Sequence, residues 1–452
     1  MPSAQNLSAR GPFAAICLAN RYDKFKLLED DSVLPPDLDY PIHPLFDHSN
    51  FSNTPPEVYQ TLEQCLRLAS TFLHDDSVLE WFVIPLFGLP LFDVQSGKTY
   101  LSDPLIDKTP REKKALVQEV SVALKCLAHC VRFEFFKTTS SGKFYARTLM
   151  DSRRPLHDNS SCTPHFKQSM SALIQLRKQY WEFLTQYYAK ASMCEKLRHD
   201  FCLATAILHE VTHAVGILRR GDMKEPHIRL DHLATPEFGF AWENFMFGGV
   251  INPLNRSSSH VSHLMRKVWQ DDETAMKFGG KEWSSVPMSY IAQWFRKDTW
   301  KQISKYGPTA VPPPEVSLKL RFETTYYTLL TDNKDTAAFF SRIRSKLAHR
   351  FCNQESTLTA MSMFILQLKV EKVDTIALQK PNLPLPSRLG STSSRLPVEN
   401  VMKRLSSSRN LRPRPLPYSG PRRTGSYTQL KRSSESDGCH RKDPRPAKRQ
   451  KR

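Results

Sequence analysis

"LATAILHEVTHAVGILRRGD" (203–222) decides how this chain is read. At its centre, HEVTH sets two histidines four residues apart with a glutamate directly after the first. A helix turns by about 100° per residue, so His209 and His213 share a face, about 40° apart. Leu208, Val211 and Val215, with Phe201 and Ala204, fall on a separate apolar stripe. That stripe suits burial, and the histidines stand beside it, where an open metal site has to stand. "AILHEVTHAVG" carries no charge except Glu210 and no proline. Arg219 and Arg220 favour the macrodipole at the helix end, and Gly221 can cap it.

Zinc takes neutral imidazole nitrogens in tetrahedral geometry, and a catalytic site keeps one position for water. Zinc brings the pKa of that water toward neutrality. Glu210 is then placed to take the proton and pass it to a leaving group, as a general base should. The competing reading is an ordinary helix with a pair of structural histidines. The uncharged context favours one Zn2+ on His209 and His213.

Two histidines need a third ligand. "TPEFGFAWENFMFGG" (235–249) offers Glu237 and Glu243, 24 and 30 residues after His213. Glu237 follows Thr-Pro and reads equally well as a favourable acid in a helix's first turn. Glu243 lies among Phe238, Phe240, Trp242, Phe245 and Phe247, where a charge is costly unless paired or bound to metal. On one helix the two would stand about 120° apart, so one can ligate while the other orients a histidine. Spacing alone does not choose between them. His227 and His232 on the connecting segment are weaker candidates. Tyr290, Tyr326 and Tyr327 could each stabilise an oxyanion.

The motif resembles the zincin superfamily of metallopeptidases. That resemblance covers residues 203–250 and implies an active-site helix beneath a small sheet, with Glu210 as general base and a peptide or protein substrate. The metzincin extension HExxHxxGxxH is matched at Gly216, but Arg219 stands at its third-ligand position and cannot bind zinc. "SSVPMSY" (284–290) is only a loose Met-turn, with Met288 and Tyr290. A gluzincin takes its third ligand from a glutamate on a following helix, which suits Glu237 or Glu243. The usual ExxxD of that class is missing, since Ala241 and Phe247 occupy the fourth positions. The pattern ExGxxxE followed by FGG also resembles a group of fungal HExxH proteins, and brings no activity with it.

A net charge of +19 suggests a nucleic-acid partner at first sight. Its distribution argues otherwise: residues 380–452 hold 19 Lys/Arg against 4 Asp/Glu, net +15, and the remainder is net +4. This tail is rich in Ser and Pro and has two aromatic residues, too little apolar area to offset its ordering entropy, so disorder is expected. It ends "PAKRQKR" (446–452), where Lys448, Arg449, Lys451 and Arg452 read as a nuclear import signal engaging an import receptor. Without interleaved aromatics, weak nonspecific nucleic-acid contact is the most the tail suggests. Nine cysteines, an odd number without a CxxC pair, favour a reducing compartment. Cys126 and Cys130 in "CLAHC" read as core. "PFAAICLA" (12–19) is short for a signal peptide, and "WFVIPLFGLPLF" (81–92) is short for a membrane span. Nuclear or cytoplasmic residence without secretion or membrane insertion is expected.

The expected fold is α+β and mainly helical. Residues 1–55 form an irregular segment, 56–375 a zincin-like domain with a small sheet, and 380–452 the basic tail. Helices are expected from residue 55, over 109–136 behind a Thr109–Glu112 capping box, over 163–190, over 195–220, and near 288–303 and 335–350. Strands are expected within 81–108, at "KFYARTL" and at "VSLKLRFETTYYTLL". The expected reaction is peptide-bond hydrolysis by zinc-activated water. The rivals are a zinc-stabilised scaffold without catalysis and a nuclear nucleic-acid-associated interaction protein.

Overall fold

Helix α7 (Met193–Arg220) is buried along most of its length and contributes many residues to the main hydrophobic core. Ser192 starts it by accepting from the Glu195 N–H, and Gly221 ends it at φ 86°, a left-handed conformation that glycine adopts without strain. Its apolar stripe, including Phe201, Leu208, Val211 and Val215, is fully buried. Among the described residues α7 alone is long and apolar enough to cross a membrane, and most of that stretch lies inside the protein.

The structure, a computed structural model, describes residues 12–136, 144–151, 166, 170–231, 235–253, 258–269, 281–322, 327–352 and 369–371. The basic tail with Lys448, Arg449, Lys451 and Arg452 lies outside the described residues, as do His232 and Tyr326. The elements before α7 are α1 (Pro12–Ala19), α2 (Pro56–Thr61), α3 (Glu63–His74), α4 (Asp76–Phe87), β1 (Pro90–Asp93), β2 (Lys98–Leu101), α5 (Pro110–Cys126), β3 (Val131–Phe135), β4 (Ala146–Met150), β5 (Ala172–Leu176) and α6 (Lys178–Glu182). After it come α8 (Phe238–Phe247), β6 (Val250–Pro253), β7 (Leu264–Lys267), β8 (Lys281–Ser285), α9 (Met288–Gln293), α10 (Lys297–Tyr306), β9 (Leu318–Phe322), β10 (Tyr327–Thr331), α11 (Lys334–Cys352) and β11 (Lys369–Glu371). The chain is thus α+β with small sheets and about half its residues helical.

Three sheets form. β1 and β2 make a hairpin turned at Gly97. β3, β5 and β4 lie in that order, with β5 central, parallel to β3 and antiparallel to β4. The third sheet runs β11-β10-β9-β8-β7-β6. Side chains alternate across a strand, and the six-stranded sheet uses this to serve two cores. Leu264 faces the main core around α7, while its neighbour Met265 faces a second core with Leu318, Leu320, Leu329 and Phe340. Helix α1 closes that second core through Ala15, Ile16 and Ala19.

Four expectations need correction. Residues 1–55 are not merely irregular: α1 is helical because its apolar run has the second core to cover, and Leu45 and Phe46 are fully buried in the main one. Residues 81–87 are helix rather than strand, although Pro85 sits inside. The Pro85 ring falls in the last turn of α4, and Arg219 and Arg220 donate to the carbonyls of Leu86 and Pro85 at 2.7 and 3.2 Å. Arg219 is therefore occupied with closing α4. Residues 163–190 are not one long helix: Ala172–Leu176 is the central strand β5. A short apolar run buried on both sides has the same composition in a strand as in a core helix, and pairing on both edges decided this one. The helix expected over 109–136 stops at Cys126, and Val131–Phe135 pairs with β5.

Its capping box does form, with Thr109 and Glu112 each satisfying the other's backbone N–H. Cys126 and Cys130 are core residues.

Candidate metal centre

Helix α8 brings the two glutamates to α7. Phe238 and Trp242 are fully buried, one turn apart, and Phe247 is nearly so. Trp242 and Phe247 enter an aromatic cluster with Phe72, and Phe247 also meets Phe201 and Trp294. Each such ring stabilises the packing by about 2–3 kcal/mol through burial alone. The helix face between these anchors carries Gly239, Phe240 and Glu243 against His209. An added Cβ at Gly239 would overlap the Cγ, Cδ2 and Cε1 atoms of the His209 ring. The ring of Phe240 covers the same imidazole edge-on at 4.9 Å.

Glu237 stands just before α8 in extended conformation and is its N-cap. Its Oε2 accepts from the Phe240 N–H. Its Oε1 faces both imidazoles, 3.1 Å from His209 Nε2 and 2.7 Å from His213 Nε2. The same side chain therefore caps a helix with one oxygen and bridges two histidines with the other. His209, His213 and Glu237 form the cluster among the described residues that could hold a metal ion, each offering one ligand atom within 4.8 Å of the others.

The other nitrogen of each ring is committed. His209 Nδ1 donates to Glu243 Oε1 at 2.7 Å, and His213 Nδ1 donates to Glu225 Oε1 at 2.7 Å. Both orienting carboxylates are anchored in turn. Glu243 Oε2 accepts from the Ile251 N–H at 3.2 Å, and Glu225 Oε2 from the Phe238 N–H at 2.7 Å. This is why Glu243 survives at 3% exposure among aromatics: both its oxygens are satisfied. With a carboxylate on each Nδ1, both Nε2 atoms are turned toward Glu237, and an ion that displaced the Nε2 protons would meet two oriented nitrogens, the arrangement by which a carboxylate fixes a ligating histidine. Two imidazole nitrogens and one carboxylate oxygen form a donor set that could hold a metal ion.

The electrostatics agree. Burial disfavours a charged imidazole, yet Glu237 and Glu243 hold His209 well above its ordinary pKa. Against the same burial, Glu225 and Glu237 raise His213 to about 9. Burial pushes Glu237 up, but the two imidazoles outweigh it and hold its carboxyl well below the usual range. Burial raises Glu243. The cluster thus favours positive charge, and a divalent ion held there would displace protons.

Glu210 lines the same cleft, of about 490 Å³, with His209, His213 and Glu237. Its Oε2 accepts from the Thr148 hydroxyl at 2.7 Å, and the Glu210 carbonyl lies 3.0 Å from that hydroxyl. Thr148 is on β4, the edge strand of the three-stranded sheet, whose Ala146 and Thr148 are buried while Arg147 is exposed. The sheet therefore lies against the motif helix and supplies one wall of the cleft.

Other candidates go elsewhere. His227 pairs through its backbone with β2, its N–H on Thr99 and its carbonyl accepting from Leu101. Met288 is buried and lies 3.5 Å from an Arg198 nitrogen, and neither it, Tyr290 nor Tyr327 lines the cleft. Glu225 was missed by sequence reasoning. The available signal was an acid directly before Pro226, in the short connection between the motif helix and the next. No protein-family model, no curated protein and no solved structure matches this chain.

Proposed function

We propose that this chain is a zinc-dependent, gluzincin-type metallopeptidase with a zincin-like active-site helix. One observation carries the reading: Glu237 Oε1 sits between the Nε2 atoms of His209 and His213, while each Nδ1 is held by its own carboxylate. Such paired orientation suits a ligand set, since a merely structural histidine pair has no need of three convergent carboxylates. When bound, zinc supplies Lewis acidity that polarises a carbonyl and acidifies water. His209, His213 and Glu237 hold the ion. Glu210 takes the proton from the attacking water and returns it to the leaving amine, with its rotamer fixed by Thr148. The edge of β4 beside the cleft can pair with an extended substrate, since an edge strand presents unpaired backbone groups.

The test is Glu210→Gln in zinc-loaded full-length protein assayed against a peptide library. The reading predicts hydrolysis by the parent chain, and loss of turnover with zinc retained in the variant. Zinc binding without hydrolysis by either protein would identify a scaffold instead. The basic tail is proposed to direct the chain to the nucleus through Lys448, Arg449, Lys451 and Arg452.

A further inference from the structure

Helices α1 and α11 cover the second core, and together they build a basic surface. α11 carries five Lys/Arg against one acid, Asp335. Thr336 and Phe340 are buried, and Ile343 and Leu347 pack beside them. Helical spacing puts Phe339, Arg342 and Lys346 together on one flank of that buried row, over about 10 Å. Arg342 and Lys346 are exposed. The turn after α1 adds to the same flank. The Arg21 guanidinium lies 3.5 Å from the centre of the Phe339 ring, a cation–π contact that fixes its position. Lys24 donates to Asn333 Oδ1 at 3.2 Å, and burial and then the nearby Arg21 lower its pKa, against Asp335. Arg21, Arg342 and Lys346 have no ion-pair partner among the described residues.

Between Arg21 and Lys24 stands Tyr22, 96% exposed. Its backbone is left-handed, at φ 60° and ψ 20°, which a bulky residue adopts only where its surroundings impose it. Asp23 and Lys26 share this sign, at φ 48° and 50°. Hydrogen bonds hold the turn in this shape. The Asp23 carboxylate accepts from the N–H groups of Leu27, Leu28 and Glu29 at 3.0, 3.1 and 2.6 Å, and from Asn20 Nδ2 at 2.7 Å. Asn20, itself 4% exposed, accepts from the Phe25 N–H at 3.1 Å. An aromatic ring held in water by a strained turn adds nothing to the core. Beside unpaired cations it makes a stacking platform.

We propose that Tyr22, Arg21, Arg342 and Lys346 form a binding surface for single-stranded nucleic acid, with a base stacked on Tyr22 and phosphates held by the three cations. Charge complementarity selects a polyanion. A single strand is the polyanion whose unpaired bases can use an aromatic platform. A duplex keeps its bases stacked inside. An anionic membrane gains little from one tyrosine, since binding there scales with buried apolar area. The inference goes beyond the peptidase reading and does not depend on it.

The probes are fluorescent oligothymidylate and oligouridylate of about 16 nucleotides, a duplex of the same length, and phosphatidylserine-containing vesicles. Each is titrated with the full-length chain. The basic tail is present in every variant, so differences between variants report this surface. Tyr22→Ala should weaken binding of the single strands by about 10-fold, leave the duplex unchanged and keep the salt dependence of the parent. Tyr22→Phe, which keeps the stacking ring, should bind as the parent does. Replacing Arg342 and Lys346 together by Gln should reduce the slope of log affinity against log salt by about 1.4 on single strands. The single strand that loses more on Tyr22→Ala identifies the natural sugar. Circular dichroism should match the parent throughout, because all three side chains are exposed. The proposal is overturned if the parent binds no single strand, or if Tyr22→Ala binds single strands as the parent does or weakens strand and duplex equally. An unchanged salt slope in the double variant also overturns it, as does a Tyr22-dependent affinity for vesicles that the oligonucleotides do not share. Zinc content enters none of these outcomes, so the metal centre stands or falls separately.

Discussion

Gly239→Ala isolates the metal centre from the rest of the fold. Alanine favours a helix over glycine by about 1 kcal/mol, so α8 itself should not suffer. The added Cβ, however, overlaps three atoms of the His209 ring, about 1 Å inside the ~3.5 Å carbon–carbon contact distance. α8 has little freedom to retreat, since Glu237 caps one end, Gly248 turns out of the other at φ 63°, and Trp242 and Phe247 are locked in the core. The imidazole must therefore move. A shift of about 1 Å takes its 2.7 Å bond to Glu243 out of hydrogen-bonding range and misaligns Nε2 with Glu237. A charge-assisted hydrogen bond is worth about 1.5–3 kcal/mol, and lost orientation of a ligating histidine costs about 10- to 100-fold in metal affinity. Displacing the ligand adds to this, so zinc affinity should fall by about 100-fold or more. Competition against a chromophoric chelator measures it. Gly216→Ala is the comparison, because its Cβ would meet a Phe238 ring atom at 3.2 Å and Arg220 Nη2 and Glu225 Oε1 at 3.3 Å, contacts relieved by shifts of a few tenths of an ångström, so a smaller loss transmitted through Glu225 to His213 follows. A Gly239→Ala chain that binds zinc as tightly as the parent would refute the reasoning.

Glu225→Ala should weaken zinc binding by about 10- to 100-fold through His213, with circular dichroism showing the helices intact, because Glu225 holds the ring through Nδ1 and stands outside the proposed ligand set. Two other histidines set an acid limit on stability: burial lowers His43 to about 3 and His263 to about 4. The unfolded chain binds these protons from about pH 6.5 downward while the folded chain does not, so stability falls with pH below 6.5 until each folded pKa is reached. Urea unfolding at pH 7 and pH 5 should differ by about 2 kcal/mol for each histidine, and replacing either by Gln should remove its share. Deleting residues 446–452 from a fluorescently tagged chain should shift it from the nucleus to the cytoplasm, and unchanged nuclear fluorescence would count against an import role for Lys448, Arg449, Lys451 and Arg452.

The motif helix, its arginine and glycine end, the capping box at Thr109 and the strand alternation of "VSLKLRFETTYYTLL" were all readable, because each is specified by local spacing or end chemistry. Residues 172–176 were not. Their apolar run suits a buried helix as well as a central strand, and only pairing with both β3 and β4 distinguishes the two. Helical α4 was hidden by Pro85, whose effect is absorbed where the distant Arg219 and Arg220 reach the helix end. The choice between Glu237 and Glu243 eluded the sequence because the angular argument placed both on one helix. Glu237 lies just outside it, as the cap, so its carboxylate reaches back across α7 and the 120° rule does not describe it. Glu225 could not be inferred from spacing at all, since the path of the connection from α7 to α8 brings it under His213.

Metal analysis of the purified full-length chain, combined with X-ray absorption at the zinc edge, tests the central claim most directly. The account predicts one zinc per chain, bound by two imidazole nitrogens and a carboxylate oxygen at about 2.0–2.2 Å, with occupancy lost in His209→Ala and Glu237→Ala. Protein without stoichiometric zinc after loading, or zinc held through sulfur, would contradict it.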